Sequence, residues 1–270
     1  MIVDLIIELE LIPLEASSLK IINGTLLCYD CGMKYAIVDG VPIFTFQKSD
    51  KKLDCLRING TDTNFCDEEY LEHGDNFDSL YSQWGSISSQ EELDKLKANP
   101  KLTQYATKFQ TDIIYRNINL DDGSKILDVG CGYGFDLTRI NLLNTRGQLF
   151  GCDVSKVMVR QALVNGTPGH LLVSFSEHLP FPDSFFDSVF SHEVLEHVLN
   201  PERCIAEMTR VTRQNGSIVI TTPNGDTFLE KVVRPLLERL KLILGKSHVG
   251  SYKDESLGNA YLKKLFLRYG

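Results

Sequence analysis

From residue 124 onward, β-rich runs alternate with amphipathic helical runs, and few folds accommodate that order. The runs are KILDVG, FDLTRINLL, QLFGCDV, SKVMVRQAL, HLLVSF, FDSVFSH, PERCIAEMTRVT and GSIVITTP. Strands separated by helices predict an α/β fold, with a doubly wound, mainly parallel sheet covered on both faces. Sheets of this kind take ligands beyond the carboxyl ends of their strands, near the point where strand order reverses. No internal repeat or low-complexity segment interrupts the pattern.

A chain of 270 residues has room for one such domain and a smaller unit. Residues 1–48 read as a small β unit, because LLCYDCGMKYAIVDGVPIFTF holds two β-rich runs with Asp39-Gly40 as a hairpin signal. Residues 49–118 read as a polar linker followed by one or two helices. In that region Leu93, Leu96, Leu102, Tyr105, Phe109, Ile113 and Ile114 recur at mostly helical steps, interrupted by Pro100. Tyr81 and Trp84 in LYSQWG are candidates for a water-excluding lid or for simple aromatic packing. Residues 119–270 form the main domain.

Composition removes several classes of function. No stretch is apolar enough to cross a bilayer, and the greasy start MIVDLIIELELIPLE lacks the basic residues and cleavage site of a secretory signal. A net charge of −8 argues against a large nucleic-acid footprint. The seven cysteines are odd in number and scattered, so a disulfide framework is not expected and a cytoplasmic setting is.

The segment KILDVGCGYG sets Gly130, Gly132 and Gly134 directly after a strand. Glycines there permit positive φ and let a ligand approach the main chain; the alternative is a tight strand-to-helix turn with no ligand. The dinucleotide fingerprint wants two residues between its last glycines, and here there is one. Asp128 would repel a pyrophosphate and attract an ammonium group. A cationic, amino-acid-like cofactor fits better. Asp153 ends the second strand, where it can accept hydrogen bonds from the two hydroxyls of a ribose.

Together, ILDVGCGYG, GCDVS, LPFPDSFFDSVFSHEVLEHV and MTRVTRQNGSIVITTPN resemble successive motifs of class I S-adenosylmethionine-dependent methyltransferases, in the broad group that includes quinone-biosynthesis enzymes. The resemblance covers residues 120–225 and implies a Rossmann-like sheet of order 3-2-1-4-5. Relatives continue past LKKLFLRYG into a final strand pair, so that pair is expected to be missing and the fifth strand to have an exposed edge. The resemblance also implies that Asp128, Gly130, Cys131, Gly132 and Gly134 surround the methionine part, and that Asp153 with Val154 holds the ribose. Ser176, Glu177 and His178 would edge the adenine, while Ser191 and His192 close the site. Many relatives have an aspartate where this chain has Phe175, which implies adenine recognition by main-chain groups and stacking.

The N-terminal CGMKYAIVDGVPIF resembles the second half of a short zinc-ribbon domain known as an activating partner of methyltransferases. At the first cysteine knuckle this chain reads Ile12-Pro13-Leu14-Glu15. A degenerate ribbon held by its core is expected, without zinc on Cys28 and Cys31.

On the acceptor side, HEVLEHV places Glu193, Glu196 and His197 within one helical turn. One reading is a helix start whose acids suit the dipole. The other is a divalent-metal site, for an ion such as Mg²⁺, completed by His248. That cluster resembles those of ubiquinone-biosynthesis O-methyltransferases and small-RNA 2′-O-methyltransferases. Without a metal, His192 or His197 is the candidate general base. The regular apolar stripe of residues 228–244, broken by Pro235, must bury a face as a lid, a dimer contact or an attachment to a membrane surface. The expected activity is methyl transfer from S-adenosylmethionine to an oxygen of a small molecule, ahead of nitrogen or carbon. A tRNA or rRNA methyltransferase and a non-catalytic cofactor-binding partner subunit are the rival readings.

Overall fold

The computed structural model describes residues 7–12, 20–27, 34–44, 113–143, 146–224, 226 and 257–269. Its strands are β1 (Ile7–Ile12), β2 (Lys20–Leu27), β3 (Lys34–Val38), β4 (Val41–Ile43), β5 (Lys125–Val129), β6 (Gln148–Asp153), β7 (His170–Val173), β8 (Phe186–His192) and β9 (Thr212–Thr221). The helices are α1 (Phe135–Leu142), α2 (Lys156–Val164), α3 (Pro201–Val211) and α4 (Asn259–Tyr269). Residues 113–117 add a short helical stretch ahead of β5.

All these strands join one sheet in the order β1-β2-β3-β4-β7-β6-β5-β8-β9. The segment β7-β6-β5-β8-β9 is parallel throughout and is the Rossmann-like 3-2-1-4-5 order that the motifs imply. Strand alternation explains its two-sided burial. Ile126 faces a core with Ile114, Leu137, Ile140, Val159 and Phe190, whereas Leu127 and Val129 face Phe186, Val189, Ile205 and Met208. Helices α1 and α2 therefore cover one face, and α3 covers the other. Helix α4 closes over α3 through Leu265, joined by Leu257 just ahead of the helix, with an Arg268–Glu202 ion pair at the surface.

Helix boundaries follow local chemistry. Asn200 caps α3 by accepting the Arg203 N–H at 3.0 Å, and Pro201 stands in the first turn, where it leaves no helical hydrogen bond unmade. Ser155 caps α2 in the same way through the Met158 N–H.

The N-terminal strands do form a β unit, but they extend the main sheet. β1 to β4 are an antiparallel meander, and Asp39 and Gly40, both at positive φ, make the two-residue turn between Val38 and Val41. β4 then lies parallel to β7, with Phe44 N donating to Val173 O at 2.7 Å and Val41 buried in the core. An exposed Arg160–Asp39 ion pair ties the turn to α2 and adds little beyond that ladder. Cys28, Cys31, Tyr81, Trp84, His248 and the stripe at 228–244 lie outside the described residues. Among the described residues, no helix is long and apolar enough to cross a membrane.

Candidate functional site

At the carboxyl end of β5 the chain turns through Gly130, Gly132 and Gly134 at φ of 80°, 51° and 75° before entering α1. The turn is fastened to β6. Gly130 N and Cys131 N both donate to Cys152 O, at 2.8 and 2.9 Å, and Gly132 N donates to Asp153 Oδ2 at 2.9 Å. The other oxygen of Asp153 accepts from Ser155 N at 2.9 Å.

The three glycines serve different neighbours. A Cβ on Gly130 would stand 2.3 Å from Val194, and one on Gly134 would stand 2.3 Å from Thr167, so close packing of the protein itself requires those two. A Cβ on Gly132 meets only the flexible end of Met158, at 3.2 Å. Gly132 is thus the least closely packed of the three against the protein itself.

A cavity of about 230 Å³ opens beside this turn. Gly130, Gly132, Asp153 and Val154 line it from the β5 and β6 side. Phe175, Ser176 and Glu177 line it after β7, and His192, Glu193 and His197 after β8. Asp128, Cys131, Gly134, His178, Ser191 and Glu196 do not reach its wall. The site therefore lies beyond the strand ends at the reversal between β6-β5 and β5-β8, where open α/β sheets place ligands.

Electrostatics mark the turn as acidic. Asp128 is 2% exposed beneath it, and burial together with the Asp136 and Asp153 charges pushes its carboxyl well above the usual range. Burial also raises the Cys131 thiol, and raises that of Cys152 to about 12, so neither is a nucleophile near neutrality. His178 is held neutral, its pKa lowered to about 4 by burial. The Ser191 hydroxyl is buried and makes no hydrogen bond among the described residues.

Glu177 lines the cavity and is buried. Oε1 accepts the N–H groups of Leu199 and Asn200 at 2.9 and 3.2 Å, and Oε2 accepts the Ser176 hydroxyl at 2.9 Å. Burial nonetheless raises its pKa. This carboxylate props the loop that follows β8.

That loop corrects the sequence expectation for HEVLEHV. It is a series of bends and turns and not a helix, and Glu193 sits at φ 55°. Helical spacing consequently does not hold across the three residues. Glu193 lines the cavity, Glu196 is buried with Oε2 accepting the Thr222 hydroxyl at 2.8 Å, and His197 Nε2 is 3.9 Å from Glu196 Oε1. Among the described residues, no group of three or more His, Cys, Asp or Glu is placed to hold a metal ion, and His248, the fourth ligand of the expected site, lies outside them.

Sequence reasoning missed Asp136 and Tyr115. Asp136 Oδ2 is 2.8 Å from His192 Nδ1, and Oδ1 accepts the Tyr115 hydroxyl at 3.3 Å. The only signal was an acid in the first turn of α1, which dipole chemistry alone explains.

Residues 127–220 match the Methyltransferase domain family. The chain is 33% identical over 109 residues to the malonyl-[acyl-carrier protein] O-methyltransferase of Legionella pneumophila, covering 39% of this chain and 38% of that protein. It is 31% identical over 108 residues to the ubiquinone/menaquinone biosynthesis C-methyltransferase of Burkholderia orbicola, covering 38% of this chain and 44% of the relative. The chain thus spans less than half the length of either relative. Among solved structures, a complex between the Haloferax volcanii Trm112 methyltransferase activator and a methyltransferase aligns with a TM-score of 0.50 at 19% identity, over 64% of this chain and 71% of that one. This last likeness concerns the fold alone.

Proposed function

We propose that the chain transfers a methyl group from S-adenosylmethionine to a small-molecule acceptor, with oxygen as the receiving atom. The observation that carries the reading is the acidic turn: a bare main-chain floor at Gly132 meets Asp153, and Asp128 lies near enough to Asp136 and Asp153 to be raised by both. Such a hollow disfavours phosphate and suits a nucleoside bearing sulfonium and ammonium charges. The residues present fit that group. Asp153 lines the cavity with an acceptor-only carboxylate suited to ribose hydroxyls, and Phe175 with the adjacent Ser176 and Glu177 offers an adenine edge.

S-adenosylmethionine supplies an already activated methyl, which leaves the protein to align the acceptor and keep water out. Of the two relatives above, one is named for an O-methyl and the other for a C-methyl transfer; the preference for oxygen rests on the two histidines in the cavity wall, His192 and His197, either of which can take a hydroxyl proton. Calorimetric titration with S-adenosylhomocysteine tests the cofactor assignment. Binding to the wild type that is weakened at least tenfold in Asp153→Ala supports it; no heat of binding to the wild type sinks it.

A further inference from the structure

Asp136 and His192 come from elements far apart in sequence, and the fold brings them together. His192 is the last residue of β8, two positions beyond the core residue Phe190 and so on the same sheet face. Asp136 is the second residue of α1, which covers that face. Their side chains are 16% and 15% exposed, and Nδ1 lies 2.8 Å from Oδ2. Tyr115, from the helical stretch before β5, donates to the other carboxylate oxygen and fixes its orientation.

A carboxylate only accepts hydrogen bonds, so the nitrogen facing it carries the proton, and the neutral ring is left with a bare Nε2. Nε2 of His192 makes no hydrogen bond among the described residues, and His192 lines the cavity. His197 differs: it is 33% exposed, and its Nε2 is 3.9 Å from Glu196 Oε1.

We propose that Asp136 is a positioning residue that locks His192 with Nδ1 protonated, so that Nε2 takes the proton released by the acceptor. The inference rests on the methyl-transfer reading and narrows it to acceptors that lose a proton, chiefly hydroxyl groups. A lone pair of the acceptor oxygen forms the bond to the methyl carbon, and the carbon–sulfur bond breaks with its pair left on sulfur. The O–H proton passes to Nε2, and Asp136 balances the imidazolium charge. The groups facing the ring are Asp136 and Glu193, which favour its charged form, and Arg139, which opposes it; hydrogen bonding to Asp136 prevails and raises the His192 pKa.

The test uses the full chain labelled with ¹⁵N in histidine. Long-range ¹H–¹⁵N spectra of the neutral ring should show Nδ1 protonated and Nε2 bare in the wild type, with that preference lost in Asp136→Asn and restored in Asp136→Glu. A ring protonated on Nε2, or a tautomer indifferent to Asp136→Asn, overturns the proposal. Turnover of S-adenosylmethionine is then compared on hydroxyl and carboxylate acceptors, since a carboxylate has no proton to give up. Loss of kcat of about a hundredfold in His192→Gln on hydroxyl acceptors, with the carboxylate rate kept, supports it. Equal loss on both, or a chain that binds S-adenosylhomocysteine yet methylates no proton-bearing acceptor, overturns it. Absent nucleoside binding would instead defeat the cofactor assignment, while the spectra still report on the dyad.

Discussion

Asp153 and Gly132 are joined by a 2.9 Å hydrogen bond from the Gly132 main-chain N–H to Oδ2, which makes the acid at the end of β6 part of the turn after β5. The same carboxylate that is assigned to the ribose therefore also shapes the floor on which the nucleoside would rest. Replacing it affects both tasks. Asp153→Ala leaves two main-chain donors without their partner and is expected to cost about 1–3 kcal/mol in urea unfolding. Binding of S-adenosylhomocysteine should fall at least tenfold, and Asp153→Asn, with one acceptor oxygen left, should lie between. Unfolding unchanged in the alanine variant would show that the turn holds without this acid.

Asp128 makes the opposite prediction for stability. Its folded-state pKa is raised, first by burial and then by the Asp136 and Asp153 charges, so the folded protein prefers it protonated. Its contribution is then fully present below the ordinary carboxylate range, about pH 4, and is lost as pH rises through the folded value. Asp128→Asn removes that penalty. Thermal melts at about pH 7 should show the variant more stable than wild type, with the difference shrinking as the pH is lowered. Binding of the sulfonium cofactor should weaken by about tenfold, or 1.4 kcal/mol, because a bound cation favours the ionised form of Asp128, which asparagine cannot supply. A variant that melts lower at neutral pH would remove the strain assigned to Asp128.

Gly130 separates packing from backbone strain. It sits at φ 80°, and a Cβ there would meet Val194 at 2.3 Å. Gly130→Ala should destabilise the chain by about 2–4 kcal/mol, combining a forbidden φ with overpacking. In Gly130→Ala with Val194→Ala the clash is gone and the φ cost remains, so the pair should recover part of the loss. Full recovery would place the whole effect in packing; none would place it in the turn. Both are read from urea midpoints of the single and double variants.

The features that sequence could show are those carried by local pattern. The strand and helix runs after residue 124 are period signals, and the observed order β7-β6-β5-β8-β9 agrees with them because each run buries its own apolar face. Asp39-Gly40 forms the hairpin its two residues demand. Contacts between distant elements were not legible. The joining of β4 to β7 is made by main-chain groups that every residue carries, so no side chain advertises it. Asp136 looked like an ordinary first-turn acid, and its pairing with His192 depends on α1 crossing the end of β8. HEVLEHV reads as helix by spacing, yet the main chain of Leu199 and Asn200 bonds to Glu177 and the segment stays in turns.

Glu177 is expected to act on that loop and not on the ligand directly. Its side chain is buried, 2% exposed, and spends its oxygens on Leu199, Asn200 and Ser176, while Arg203 Nε bonds the Glu177 carbonyl at 3.0 Å. Because burial raises its pKa despite these bonds, the ionised form is a burden that grows as pH rises through the folded value. Glu177→Gln keeps the oxygen that accepts from Leu199 and Asn200 and removes the charge. It should be at least as stable as wild type at neutral pH and should bind S-adenosylhomocysteine within about twofold, a difference under roughly 0.5 kcal/mol. Glu177→Ala frees the loop bearing Glu193, Val194 and His197, and should lose about 2–3 kcal/mol along with much of the binding. Chemical denaturation and calorimetry on both variants check this. Equal loss of binding in the glutamine and alanine variants would mean that the carboxylate touches the nucleoside after all, since glutamine keeps the oxygen that accepts from Leu199 and Asn200 and gives up only the charge and the second acceptor oxygen, which faces Ser176.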